Sequence, residues 1–386
     1  MMYRNKLMAG ICSIVLLVLV SLCSVGQVVA ETVKIGAILA VTGPASFLGG
    51  PEVRSLKMLV DEINAEGMAG GHTVELIVKD SGGSSEKAVS FAKQLIEEEH
   101  VFAIIGPSTS GETFKIKKLC DKNQTILISC GSAELIINPV APFVFKTAPS
   151  DSLAARKIFM TMQDMGISRI ALLTGNTGFG KAGKKQITQI APEYGIEIIS
   201  SEVYDKKATD LSAIVAKIKA NTEVQAVVNW SIVPAQSIVA KNIRQVGWDV
   251  PLFQSHGFAN IKYVKAAGAA AEGIIFPASR LIVADSLPAG EEKDFLMNYK
   301  TRYEQNFGED VSTFGGHSYD AMMILTRAIE QVGLDKMKVR SAMENMKNYF
   351  GTAGMFNFSP EDHSGLQIDA FTMVTVKDGV FVPYSL

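Results

Sequence analysis

The chain of 386 residues carries 37 Lys and Arg against 39 Asp and Glu, a formal net charge of −2 at pH 7. So even a balance leaves no basic footprint for nucleic acid, and the length suits two domains of ordinary size. Four cysteines and five scattered histidines offer neither a disulfide framework nor metal-ligand spacing, so no metal and no cofactor are expected.

The first thirty residues stand apart. Arg4 and Lys6 precede an almost uncharged apolar run at residues 7–22, and Val28, Val29 and Ala30 before Glu31 supply the small residues a signal peptidase reads. Residues 1–30 therefore read as a secretory signal peptide cleaved after Ala30, which makes the mature chain periplasmic. The run is also long enough for an uncleaved membrane anchor. Cys23 follows the bulky Leu22, a poor context for lipid attachment, and no later segment is apolar for long enough to span a bilayer. Cys120 and Cys130 remain in the mature chain. One lies near the end of a predicted helix and the other at the far end of the next strand, on the order of 15 Å apart, too far to bridge. Two buried, unpaired thiols are expected.

From residue 33 strands and helices alternate. Residues 33–39 read as a strand, 41–50 as a Gly-rich turn, and 51–65 as a helix with Val53, Leu56, Val60 and Ile63 at helical spacing. Next come a strand at 73–78, a helix at 85–98, a strand at 101–105, a helix at 112–120 and a strand at 125–129. After residue 151 the pattern restarts, with strands predicted at 169–173, 197–203, 226–230, 252–254 and 273–276 and helices between them. Helices at 291–306 and 318–332 and strands at 370–376 and 380–383 complete the chain. Strands without polar alternation, joined by helical crossovers, predict an α/β fold of parallel sheets covered on both faces. Since the pattern runs through twice, two doubly wound, Rossmann-like units are expected.

The turn Gly106-Pro-Ser-Thr-Ser110 links the third strand to its helix. It brings free backbone N–H groups and the hydroxyls of Ser108, Thr109 and Ser110 to the positive end of a helix, chemistry that holds a carboxylate or other small anion. Taken alone, Ser110 reads as an N-cap. Comparable loops after several other strands favour the anion reading.

A second glycine-rich stretch satisfies two nucleotide patterns at once. Gly178, Gly180 and Gly183 give G-x-G-x-x-G after a strand, and Gly175 to Lys181 give G-x-x-x-x-G-K. Ala182 stands where the second pattern needs a hydroxyl for magnesium, and Glu202 is a poor ribose partner for the first. The glycines read instead as a tight strand-to-helix turn that places Phe179 at a cleft. There is no G-x-S-x-G elbow, so an enzyme is not expected.

Several motifs in fixed order carry a resemblance. They are KIGAILAVTGPA at residues 34–45, IIGP at 104–107, FKTAPSD at 145–151 and KNIRQVG at 241–247. Together with the export leader they resemble the leucine/isoleucine/valine-binding proteins, the type I periplasmic receptors of branched-chain amino acid ABC importers, over essentially the whole mature chain. The resemblance implies two lobes joined by three crossing segments, with a ligand clamped between them and a membrane ABC permease as partner. Lobe 1 would hold residues 31–148 and 281–353, and lobe 2 residues 149–280 and 354–386. A monomer is expected.

By the same resemblance the carboxylate anchor falls on Ser110 beside Thr109, and the next anchor loop on Gly131, Ser132 and Ala133, shorter than in the family and without its threonine. Phe179 and Trp230 supply the aromatic wall of lobe 2, and Phe47 or Leu48 covers the ligand from lobe 1. One departure matters most: His256 stands where amino-acid receptors place a glutamate for the ligand ammonium. Its surroundings, Ser255-His-Gly257, are similar to a branch that takes aromatic carboxylates, and a flat ring would suit Trp230 and Phe179. Alternatively, His256 caps its own loop while Glu112, Glu134 or Asp151 meets an ammonium. The expected function is an extracytoplasmic solute-binding receptor for a small carboxylate or hydrophobic amino acid. The same fold would also serve an exported sensing domain, a reading weakened by the absence of a signalling segment after Leu386.

Overall fold

The computed structural model describes residues 30–386. The expected signal peptide lies outside the described residues except for Ala30.

The first α/β unit comprises β1 (Thr32–Leu39), α1 (Ser46–Glu66), β2 (Thr73–Asp80), α2 (Ser85–Glu97), β3 (Ala103–Ile105), α3 (Ser110–Lys122), β4 (Ile126–Ser129) and β5 (Val144–Lys146). Its strands pair in the order β2-β1-β3-β4-β5, all parallel. Near-continuous apolar strands such as the fully buried Ala103-Ile-Ile105 have no polar face to turn to water, so helices cover both sides. Residues of α2 and α3, among them Ala88, Leu95 and Ile116, pack on one side.

The second unit repeats this plan. It runs through α4 (Asp151–Asp164), β6 (Arg169–Gly175), α5 (Gly178–Ile190), β7 (Glu197–Tyr204), α6 (Ser212–Lys219), β8 (Ala226–Trp230), α7 (Ala235–Gln245), β9 (Leu252–Gln254), α8 (Ile261–Ala267) and β10 (Ile275–Ala278). The parallel order β7-β6-β8-β9-β10 matches the first sheet strand for strand. The chain then returns to the first unit with α9 (Glu291–Phe307), α10 (Thr313–Val332) and α11 (Lys336–Glu344), followed by the hairpin β11 (Tyr349–Gly351) and β12 (Gly354–Phe356). Leu296, Tyr299, Ile324 and Leu325 of these helices join the first core with Leu56 and Leu59 of α1. Finally β13 (Thr372–Lys377) and β14 (Val380–Pro383) add two antiparallel strands beside β10.

In each sheet the strand order reverses beside its first strand, between β1 and β3 and between β6 and β8. Such reversal points leave a crevice at the carboxyl ends of the strands. Side-chain caps start the helices that border it: Thr109 Oγ1 accepts from Glu112 N at the head of α3 and Thr177 Oγ1 from Gly180 N at the head of α5.

The expected elements need several adjustments. Helix α1 begins at Ser46, inside the stretch expected to be a turn, and carries Pro51 within it. A proline has no N–H to give the carbonyl four residues back, so Phe47 O lacks its helical partner. The short β5, the β11–β12 hairpin and α11 were not anticipated from periodicity. The third passage between units comes later than residue 354. Phe356, Phe358 and Leu366 still belong to the first core, and Phe371 is where the second resumes. Cys120 and Cys130 are both free and buried. No helix among the described residues is long and apolar enough to cross a membrane.

Candidate ligand-binding cleft

The two reversal points enclose a small cavity. From the first unit come Ser108, Thr109 and Ser110 after β3, Gly131 and Ser132 after β4, and Leu48 of α1. The second unit contributes Phe179 of α5, Ile232 after β8, and His256 with Gly257 after β9, while Phe314 and His317 arrive on α10. The enclosed space is about 20 Å³, scarcely more than the ~10–15 Å³ that one water needs.

Hydroxyls and helix ends shape the first side. Because Thr109 takes the cap, Ser110 is the first residue of α3, and its Oγ accepts from Ala133 N (3.2 Å). Ala133 therefore orients Ser110 from behind instead of lining the space. Ser108 is committed elsewhere: it accepts from Ala40 N (2.9 Å) across the β1/β3 reversal and donates to Glu52 in a short hydrogen bond. Burial pushes the Glu52 carboxyl up to about 8, with the Ser108 bond opposing and nearby Glu112 adding to the shift. Glu52 is thus a neutral acid at pH 7.

The second side is aromatic. Phe179 stacks on Trp230 (centroids 5.6 Å apart, 23° between planes), and His256 stands edge-on to both at 5.3 and 5.5 Å. Trp230 is wholly buried behind this pair and does not reach the cavity. The ligand wall expected of it falls to Phe179, with Trp230 as its backing. Phe47, too, turns away and packs on Tyr263 (5.0 Å), leaving the cover to Leu48.

The glycine pattern of residues 178–183 is explained by close packing. A Cβ on Gly183 would meet Trp230 Nε1 at 1.9 Å, one on Gly180 the Gly175 carbonyl oxygen at 1.9 Å, and one on Gly178 the Cα of Gly111 at 2.5 Å. The first two let α5 lie tight against its strands. The third lets the two units touch.

Two histidines set the electrostatics. Neither ring nitrogen of His256 has a hydrogen-bond partner among the described residues, nor does Nδ1 of His317. Burial drives both imidazoles down to about 3, helped at His256 by His317 and at both by the positive charge of Lys146. Each is a neutral ring with one donor and one acceptor nitrogen. Lys146 is fully buried and donates to Ala148 O (2.7 Å) and Ser132 O (3.4 Å) just behind the cavity wall. Burial lowers its pKa while Asp151 opposes, and burial raises Asp151.

No Asp or Glu lines the cavity. Among the acids considered as ammonium partners, Glu112 accepts from its own cap Thr109 (2.6 Å), Asp151 Oδ1 accepts from Glu134 N and Ser152 N, and Glu134 accepts from Asn138. The structure therefore brings together Thr109, Ser110, Gly131, Ser132, Phe179 and His256, and leaves Ala133, Phe47 and Trp230 one layer back. His317, Phe314 and Lys146 were missed. Phe314 and His317 share a helix face at i, i+3 spacing, but a helix expected to start at residue 318 hides that pairing. Lys146 entered only as one letter of the FKTAPSD motif at residues 145–151.

Residues 32–380 match the model of a family described as periplasmic binding protein. The chain belongs to that family. Among curated relatives it is 22% identical, over 81% of this chain and 82% of the relative, to a leucine-, isoleucine-, valine-, threonine- and alanine-binding protein of Pseudomonas aeruginosa. Solved structures of the same fold include the branched-chain amino acid transporter substrate-binding protein LivJ of Streptococcus pneumoniae in complex with isoleucine (TM-score 0.81, 23% identity, 91% of this chain and 97% of that one). Another is a solute-binding protein of an ABC transporter from Rhodopseudomonas palustris in complex with 3,4-dihydroxybenzoic acid (TM-score 0.79, 19% identity, 91% and 95%). Periplasmic binding proteins of this type are solute receptors built on two α/β lobes, the architecture seen here.

Proposed function

We propose that this chain is a periplasmic, non-enzymatic receptor of an ABC importer that clamps a small carboxylate lacking an α-amino group. The observation that carries the reading is the charge of the cavity wall. It holds hydroxyls, the N-terminal end of α3, two neutral imidazoles and a buried ammonium behind it, but no carboxylate. A ligand carboxylate can take hydrogen bonds from the Ser110 hydroxyl, the N–H groups at the head of α3 and the donor nitrogen of either imidazole, whereas an ammonium desolvated there has no counter-ion and costs several kcal/mol. The unpaired imidazole nitrogens each cost about 1–3 kcal/mol while buried without partners, and a polar ligand group relieves that cost. Phe179 offers an apolar face for the ligand body, and both kinds of ligand, isoleucine and a dihydroxybenzoate, occur among the similar structures.

Titration calorimetry of the mature chain with benzoate, 3,4-dihydroxybenzoate, leucine and isoleucine tests this. Saturable heat with an aromatic or aliphatic acid and none with the amino acids is the expected outcome. Sub-micromolar leucine binding with no response to the acids overturns it.

A further inference from the structure

A concavity far larger than the cleft cavity lies elsewhere on the described residues. Helices α10 and α11 and the β11–β12 hairpin bound a groove of about 770 Å³, well within the roughly 300–1,000 Å³ of cavities that hold small organic molecules. Its floor is apolar: Phe295, Met323, Met346, Tyr349 and Phe350 all face it. Three cations, Arg327, Lys338 and Lys347, share the lining, and no Asp or Glu does.

Of the acids on α10 and α11, none lines the groove, and Glu330, three residues from Arg327, is exposed outside it. Glu344, the one acid of α11, faces Arg340 (3.3 Å) and His363 (3.4 Å). Asp320 of α10 is spent on the backbone and hydroxyl of Thr352 and the N–H of Ala353. Lys347 is partly satisfied by the Phe358 carbonyl, and the Arg327 guanidinium lies 5.8 Å over the Tyr349 ring. Arg327 and Lys338 make no salt bridge among the described residues. An ordinary solvated helix face intersperses both signs. Here one sign rings a recessed apolar surface.

We propose that this groove is a second binding site, for a small amphipathic anion whose apolar body rests on Phe295, Met346 and Tyr349 while its carboxylate or sulfonate is met by Arg327 and Lys338. The site is independent of the cleft and of the ligand assigned to it. Apolar burial supplies the affinity, and the two cations select an anionic head over an ammonium.

The experiment uses the mature chain and 8-anilinonaphthalene-1-sulfonate, followed by its fluorescence. One saturable site is expected, competed by decanoate and not by decylamine. In the double variant Arg327→Glu, Lys338→Glu the probe should bind at least about tenfold more weakly, while the melting temperature and calorimetric binding in the cleft stay as in the parent chain. The cleft variant Ser110→Ala should bind the probe like the parent. Equal probe affinity in the charge-reversed variant, loss of binding in Ser110→Ala, or a fluorescence rise that does not saturate overturns the proposal.

Discussion

Asn260 Nδ2 donates to the carbonyl oxygen of Phe47 at 2.7 Å, and this carbonyl is the one that Pro51 leaves without a helical partner. The bond joins α1 of the first unit to the head of α8 in the second, where the Asn260 Oδ1 also caps Lys262 N at 2.9 Å. A proline that would ordinarily weaken a helix here frees an acceptor for the facing lobe.

Replacing Asn260 by Asp separates the two roles, because the carboxylate still caps α8 but offers the Phe47 carbonyl no hydrogen. Losing one bond and opposing two oxygens costs about 1–2 kcal/mol of closed state, so ligand affinity in the cleft should drop roughly 5- to 30-fold with little change in the melting temperature of the free protein. Calorimetry beside a thermal melt checks this. Unchanged affinity would show that the bond contributes nothing to closure.

Gly178 and Gly111 make the opposite rim. A methyl on Gly178 would stand 2.5 Å from the Cα of Gly111, whereas one on Gly111 would stand 3.5 Å from Gly178, an ordinary contact. Gly178→Ala should hold the lobes apart, enlarging the radius of gyration in small-angle X-ray scattering at saturating ligand and weakening binding by about tenfold or more. Gly111→Ala should behave like the parent. Identical scattering and affinity for the two variants would refute the assignment of this contact.

The two imidazoles should add no pH dependence to ligand affinity between pH 5.5 and 7, and any weakening should be confined to the approach to pH 8, where the buried Lys146, lowered to about 8 by desolvation, begins to lose its charge. The His256 and His317 rings, already pressed down to about 3 by burial, do not change charge in that interval. A steady fall in affinity as pH rises through 6.5 would mean instead that a protonated histidine pairs with the ligand.

Stability should respond to pH in two opposed ways. A histidine whose folded pKa lies below its unfolded value leaves the unfolded chain binding more protons, so stability holds above about 6.5 and falls as pH drops toward 3, by about 1.4 kcal/mol per unit for each ring. Glu52, raised to about 8, behaves inversely: its contribution is whole below about 4.5 and is lost as pH climbs to 8. Glu52→Gln removes that loss, so the variant should gain on the parent by up to about 4 kcal/mol at pH 8 and nothing near pH 4. Denaturant melts across this span measure the difference, and a pH-independent offset would show that Glu52 does not titrate as described.

Much of the fold was legible because parallel strands buried on both faces have to be almost wholly apolar, as Ile126 to Ser129 and Ala226 to Trp230 are apart from Ser129 and Asn229. β5 escaped notice since three residues, one of them Lys146, give no apolar run, and only its tertiary surroundings bury that ammonium. The hydroxyl loop at Thr109 and Ser110 was readable from local chemistry. The depth at which a side chain stops was not. Phe47 and Leu48 are adjacent in sequence, and only the exit angle of α1 decides which one turns inward. Trp230 lies beneath Phe179 because Gly183 lets α5 sit directly on the indole, a packing relation between residues almost fifty positions apart.

The narrowness of the central cavity ties ligand entry to motion of the two lobes. An apolar cavity of about 150 Å³ admits benzene, so at about 20 Å³ the space accepts an organic acid of that size only once the lobes have moved apart. Loading and release of such a cargo both require that parting, and parting breaks the Asn260–Phe47 bond.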